Sequence, residues 1–510
     1  MPEPPPTPTL SAIEQVHVAR FRFVGNTVFD ASALAAVVRE HVARTLTAEQ
    51  LEAARLAVTR HYVDHGYLTS GARIPDQVVT DGTVTMEIVE GRLGEVRVES
   101  PTRLRESWLV PRVRPEGPLR MDELAARLRL LEDGPLVARV DAELAPGPTP
   151  GESVLRLRVE DERPYGATVA FDNHRSPSIG AERFTLTAWH HDLSGRGDTA
   201  HASVALDSGF DNHVLGYAIP LGPSETTLGI EYESSDSTVV AEPFDVLDIQ
   251  SALTRLGVYL RHPLIREPGR ELAVEIGVER RHTETFLLGQ RFGFSPGVVD
   301  GQTRVTVLSF DQSWTAREAT RVVALRSSFR LGVDAFGATR NHGLPDGRYL
   351  AWRGQAQWVE RTPWHDADLA VRVAAQFAND PLLPSEKLAI GGASTVRGYR
   401  ESTLNRDNGV VASAELRVPV GQVRVPGLGG EPDGLVQVIP FVDWGRGWDT
   451  GGTAGTTDEL RSVGLGVRWR PNAHIEGELF YGHALDDVPR ATDRDLQDDG
   501  LHFALRVKLL

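Results

Sequence analysis

The sequence predicts a chain in two parts: an α+β pair of small domains, each of β-α-α-β-β order, then an all-β membrane barrel of sixteen antiparallel strands. Three observations predict it. Periodicity changes near Pro164, from mixed helix and strand patterns to almost unbroken two-residue alternation. The alternating segments run near ten residues each and are separated by Gly, Pro, Asp and Asn clusters, as spanning strands tilted in a bilayer require. No run of about 18 apolar residues occurs in the 510-residue chain, which excludes a helical membrane protein but not a barrel.

Composition narrows the function classes. A formal net charge of −16 argues against nucleic acid as a partner, because phosphates are held by clustered Lys and Arg. With no cysteine there is no disulfide framework, thiolate metal site or thiol nucleophile. No cofactor or metal is expected: the sixteen histidines show no metal-ligand spacing, and no phosphate-binding loop motif occurs. The opening MPEPPPTPTL has neither a basic head nor an apolar stretch, so an export signal is expected upstream of it, and residues 1–15 read as an extended, disordered, Pro-rich leader.

In the first domain, residues 16–91, VHVARFRFVG alternates like a strand and Gly25-Asn26-Thr27 turns it into a helix with Leu34, Val37 and Val38 on one face. Thr47 and Gln50 have the spacing of a capping box and open a second helix through Leu51, Leu56, Val58 and Tyr62 that Gly66 ends. Strands around Leu68–Ile74 and Val84–Val89 follow, joined at Asp81-Gly82. The order repeats more loosely over 92–162, with GEVRVES as first strand, MDELAARLRLLED as the longer helix and a closing strand pair joined by APGPTPGE.

The barrel part, 163–510, divides into about sixteen segments. Leu272, Val274, Ile276 and Val278 lie on one face and Glu271, Glu275 and Glu279 on the other; Leu501, Phe503, Leu505, Val507 and Leu509 oppose His502, Arg506 and Lys508. An even strand number puts both barrel ends on one side. The odd-to-even connections (282–301, 333–348, 379–408, 446–459, 483–499) are long and the even-to-odd ones (194–198, 221–225, 470–473) are short, except for 419–434.

The strings FVGNTVF and Tyr67 to Val96 resemble a pair of POTRA domains, specifically those of the haemolysin secretion and activation proteins, the transporter half of two-partner secretion. GGASTVRGYRE, centred on Val396-Arg397-Gly398-Tyr399, resembles the signature loop of the POTRA-barrel superfamily, which folds back into the lumen. Phe441, Asp443 and Gly445 match the family's F-x-D-x-G on the thirteenth strand. The resemblance implies a lumen loop over 379–408 anchored by Val396–Tyr399 on a wall partner at Phe441, Asp443 and Gly445. From the residues alone, Asp443 shares a strand face with Gln437 and so points inward, where a guanidinium fork from Arg397 meets it with two-point geometry. Inward Glu415 and Arg417 beside outward Leu416 and Val418 support the resemblance, while the terminal Leu510 departs from its usual aromatic end.

By that resemblance the chain sits in the outer membrane of a Gram-negative bacterium, with its POTRA domains in the periplasm. It exports a secreted exoprotein, haemolysin- or adhesin-like with an N-terminal secretion domain, that the POTRA pair captures unfolded. Outer-membrane lipid, and the barrel-assembly machinery during biogenesis, are the other expected partners, and no enzymatic activity is expected. The competing readings are an outer-membrane assembly or insertion factor, which usually carries more POTRA domains, and a passive pore. With about 16 residues before the first strand, no plug helix of the kind many relatives carry is expected in this sequence. Gly293-Phe294-Ser295-Pro296-Gly297 fits a nucleophile elbow only by letter, since Pro follows the Ser in a long loop. Arg196-Gly197-Asp198 reads as a turn between strands, and the neighbours His190 and His191 face opposite ways along a strand.

Overall fold

The structure is a computed structural model that describes residues 9–343, 345–425, 427, 434–451, 457–489 and 493–509. It divides into two compact units, Met1–Glu162 and Arg163–Leu510.

Within the first unit, strand Arg20–Val24 runs parallel to Thr83–Val89, which pairs antiparallel with Gly71–Arg73. Helices Ala31–Val37 and Ala48–Asp64 cover this sheet. Asp30 caps the first by accepting from Ala33 N at 2.7 Å, and Thr47 with Gln50 forms the reciprocal capping box of the second. Val18, Leu34, Val38, Ala54, Val58, Tyr62, Val84 and Met86 are fully buried between the layers. Each such Val, Leu or Met side chain contributes about 1.5–3 kcal/mol of transfer free energy. The second module repeats the plan: Arg92–Val98 is parallel to Glu152–Asp161, which pairs antiparallel with Val137–Pro146, under helices Glu106–Val113 and Met121–Glu132.

Four expectations for this unit are corrected. The opening strand breaks at Ala19, so Gln15–Val18 pairs with Arg44–Thr47 in a separate two-stranded sheet while Arg20–Val24 joins the main one. The strand expected over Leu68–Ile74 is only Gly71–Arg73, since Tyr67 and Ser70 bond within the preceding turn. Leu56 lies half exposed on the outer side of its helix, because the buried face runs through Leu51, Ala54, Val58 and Tyr62 at three- and four-residue spacing. Residues 1–8 of the expected leader lie outside the described residues, but 9–13 are not free: Leu10 packs against the core and its N–H donates to Gln77 O at 2.8 Å.

In the second unit sixteen wall strands close a barrel, each antiparallel to its neighbours. Strand 1 (Tyr165–Asp172) meets strand 16 (Leu501–Lys508) in register from Thr168–Lys508 to Asp172–Ala504. The others used below are strand 7 (Arg270–Leu287), 8 (Gln302–Arg317), 9 (Arg321–Val333), 10 (Tyr349–Arg361), 11 (Asp368–Ala378), 12 (Asn408–Gln422), 13 (Leu435–Trp448), 14 (Thr457–Asn472) and 15 (Ile475–Ala484). A two-residue strand, Gln290–Arg291, folds back on the tip of strand 7 and is not part of the wall, since strand 7 pairs directly with strand 8.

Alternation assigns the faces. Ile276, Val278, Leu308, Phe310, Leu325 and Phe329 are among the large apolar residues exposed on the outside, a belt that water does not tolerate and lipid does. Glu275, Asp311, Arg326 and Arg330 alternate with them and line the interior together.

The structure also moves several connections. Strand 7 reaches Leu287, so its connection is 288–301 rather than 282–301, and strands 13 and 14 extend to Trp448 and from Thr457. Strand 12 runs through Pro419 to Gln422 because the ladder bulges between Pro419 and Gly421, where a missing N–H is tolerated. Much of the anomalous 419–434 connection and the end at Leu510 lie outside the described residues. One odd-to-even connection, 207–209, is a tight turn, closed by Gly209 N donating to Asp207 Oδ1 at 2.9 Å. Arg196-Gly197-Asp198 is a turn between strands, in which buried Asp198 accepts from Ser194 N, Ser194 Oγ and Tyr217 OH.

Candidate functional site

Residues 379–407 leave strand 11 and return to strand 12 as a segment lying against the inward faces of the wall. Its limbs pair as a short hairpin, Leu388–Ile390 with Leu404–Arg406. At its tip Val396, Arg397 and Tyr399 are buried.

Arg397 is the centre of the site. Nε and Nη2 donate to Asp443 Oδ2 and Oδ1, both at 2.8 Å, and its backbone N–H donates to Oδ2 at 3.0 Å. Nη1 donates to Glu415 Oε1 at 2.7 Å and Nη2 also to Ser413 Oγ at 3.1 Å, both on strand 12. The guanidinium carbon stands 3.6 Å from the Phe441 ring centroid and 4.9 Å from that of Phe480. Burial disfavours the charge, but Asp443 and Glu415 more than offset it, so the guanidinium is held above its ordinary value.

The wall motif is explained residue by residue. On strand 13, positions 441, 443 and 445 share the inward face, and each meets the segment differently. Phe441 stacks the guanidinium, Asp443 pairs with it, and Gly445 leaves room, since a Cβ there would lie 2.7 Å from Ile390 Cγ2 and 2.9 Å from Val396 Cγ2. Val442, between them, is half exposed on the outer face.

The other tip residues reach further round the barrel. Gly398 has φ +91°, and a Cβ on it would lie 2.8 Å from Gly482 O on strand 15, so both strain and contact require glycine. Its N–H donates to His502 Nε2 on strand 16 at 3.2 Å. Tyr399 OH donates to Arg461 O on strand 14 at 2.8 Å and accepts from Asp486 N at 3.0 Å. Arg400 pairs with Asp498, and Glu401 N donates to Gln497 Oε1 at 2.9 Å, which ties the segment to the connection before strand 16.

Of the seven residues singled out from the sequence, the structure brings Val396 and Arg397 onto Phe441, Asp443 and Gly445, while Gly398 and Tyr399 meet strands 14 to 16 and the connection after strand 15 instead. Sequence reasoning missed Glu415 as a second anion on Arg397, although its inward direction was read. It missed Glu386, fully buried on the limb of the segment that leaves strand 11, altogether. In the first unit it missed Glu90, which gathers the FVGNTVF turn by accepting from Thr27 N at 2.7 Å, Val28 N at 2.8 Å, Thr27 Oγ1, and Tyr62 OH at 3.0 Å. Burial raises the Glu90 carboxyl, but these donors outweigh it and hold the group below the usual glutamate range.

A closed sixteen-stranded barrel with an apolar outer belt, a charged interior and an inward segment, on a chain that begins with two β-α-α-β-β modules, defines an outer-membrane POTRA-barrel protein. The chain belongs to the haemolysin secretion/activation protein family ShlB/FhaC/HecB, whose profile matches residues 151–469, and residues 16–91 match the ShlB-type POTRA domain. It is similar to the outer membrane transporter CdiB of Escherichia coli, 26% identical over 409 residues that cover 74% of this chain and 65% of that one. It is also similar to the heme/hemopexin transporter protein HuxB of Haemophilus influenzae, at 21% identity over 75% of this chain and 68% of the relative. The matches therefore span about two thirds of those relatives' length. The solved structure of CdiB from Escherichia coli has the same fold, with a TM-score of 0.72 at 22% identity, covering 100% of this chain and 93% of that one.

Proposed function

We propose that this chain carries a partner exoprotein across the outer membrane to the cell surface. Residues 16–91 and 92–162 act as periplasmic POTRA domains that capture the cargo unfolded, and residues 163–510 form the conduit. Membership of the haemolysin secretion/activation family is the observation that carries this reading. The inward segment supports it: Arg397, paired with Asp443 on strand 13 and Glu415 on strand 12, is a clamp that holds the segment in the lumen until cargo displaces it. The Val396–Tyr399 tip is the anchor, and Phe441, Asp443 and Gly445 are its seat.

The long odd-to-even connections face the outside of the cell, and lipid covers the apolar belt. The barrel-assembly machinery inserts the barrel. The protein performs no chemistry on its cargo, which is a haemolysin- or adhesin-like chain with an N-terminal secretion domain. No observation favours the assembly-factor reading over this one.

Deletion of the gene tests the proposal. A large exoprotein encoded beside it is expected to vanish from the culture supernatant and return on complementation, with other outer-membrane proteins at normal levels. Unchanged supernatant, or general loss of outer-membrane barrels, would count against it.

A further inference from the structure

The inward segment is gripped twice, with opposite polarity. At its tip a cation of the segment is held by wall anions; at its proximal limb an anion of the segment, Glu386, is held by wall cations. Glu386 is fully buried. Arg281 Nη1 on strand 7 donates to its Oε1 at 2.7 Å and to Ser385 O at 3.0 Å, and Tyr349 OH on strand 10 donates to Oε2 at 2.7 Å. Arg330 on strand 9 and Arg353 on strand 10 stand 3.8 Å from Oε2. Arg353 Nη2 and Gln376 Nε2 each donate to the Glu386 carbonyl at 3.0 Å. Beside it, Leu382 and Leu383 bury against Val305, Val307 and Tyr349 of strands 8 and 10.

The two grips differ in what the wall keeps when the segment leaves. Among the described residues, Asp443 receives all three of its side-chain hydrogen bonds from Arg397, so withdrawing Arg397 strands a buried carboxylate. Arg281 and Arg330 also hold Glu279 of strand 7, at 2.7 and 3.5 Å, and Arg353 Nε donates to Gln376 Oε1 at 2.6 Å. Withdrawing Glu386 leaves these cations with partners of their own.

We propose that Glu386 is a positioning residue, a releasable latch on the proximal limb, and that this limb opens before the Arg397 clamp does. The latch stands on lumen geometry alone and does not depend on what the protein secretes. Its test is therefore made on purified full-length protein in detergent, where failure of the secretion reading has no effect.

The chain has no cysteine, so Ser385→Cys introduces a single thiol at a position whose hydroxyl is buried. With a hydrophilic maleimide, the labelling rate is expected to rise at least tenfold when Glu386→Gln is added, and by less with Tyr349→Phe, which removes one donor. Arg397→Ala is expected to leave the rate at residue 385 within twofold. Heat-modifiable gel mobility reports whether each barrel is folded, and if Glu386→Gln fails to fold, the Tyr349→Phe rate decides. An unchanged rate in the folded latch variants, or an equal rise with Arg397→Ala, overturns the proposal.

Discussion

The Arg397 guanidinium lies over the Phe441 ring, 3.6 Å from its centroid, while the same group forks onto Asp443 two residues along the strand. One strand face therefore supplies both the π surface and the carboxylate, and only a planar, delocalised cation uses both at once. Arg397→Lys is expected to lose most of the clamp despite keeping its charge. Exoprotein in the supernatant should fall at least tenfold for both Arg397→Lys and Arg397→Ala, with the barrel at normal level on immunoblots. Removing one member of such a buried pair costs about 3–5 kcal/mol.

Gly398→Ala should disturb the same seat by a different route. Its φ of +91° and the carbonyl of Gly482 leave no place for a methyl group. A strain of about 1–3 kcal/mol is expected to lift the tip, read as a rise in open-pore conductance in planar bilayers. Gly421→Ala is the control, since a Cβ there meets nothing within 4 Å, and its conductance should match that of the unaltered protein.

Tyr399→Phe removes a hydroxyl that bridges Arg461 O and Asp486 N. A loss of about 1–2 kcal/mol is expected, without change of fold. Hydrogen exchange at the Asp486 amide checks it, with faster exchange in the variant and no change at Asp443.

The first unit carries a pH dependence. Glu90 is held below its unfolded value, so its contribution to stability is fully present above the ordinary glutamate value of about 4.3 and is lost as pH falls through the lower folded value. Protection of the Thr27 and Val28 amides against exchange is expected at pH 7 and lost progressively below about pH 4, ahead of Val84 and Met86 in the core. Glu90→Gln should show weak protection at both pH values.

What the sequence disclosed follows from the range over which each signal is written. Two-residue alternation is local, so Ile276 and Glu275 could be assigned to opposite faces of strand 7 without knowing any neighbour. The Arg397–Asp443 pair was legible because each member sits in a short motif and because Asp443 has a definite strand face. Glu386 was not: its partners Arg281, Arg330, Tyr349 and Arg353 lie on three strands, and no local pattern brings them to one point. The break at Ala19 escaped as well, although the chain marks it: the apolar positions shift phase there, from Val16 and Val18 to Phe21 and Phe23, as the pairing partner changes from Arg44–Thr47 to Thr83–Val89.

Passage of cargo through the lumen is the centre of this account, and two neighbouring residues test it. Glu275 lines the interior and Ile276, the next residue, is exposed on the outer face. With a photocrosslinking side chain at either position and an exoprotein stalled during export, adducts are expected from residue 275 and not from residue 276. Adducts from both equally, or from residue 276 alone, would contradict it.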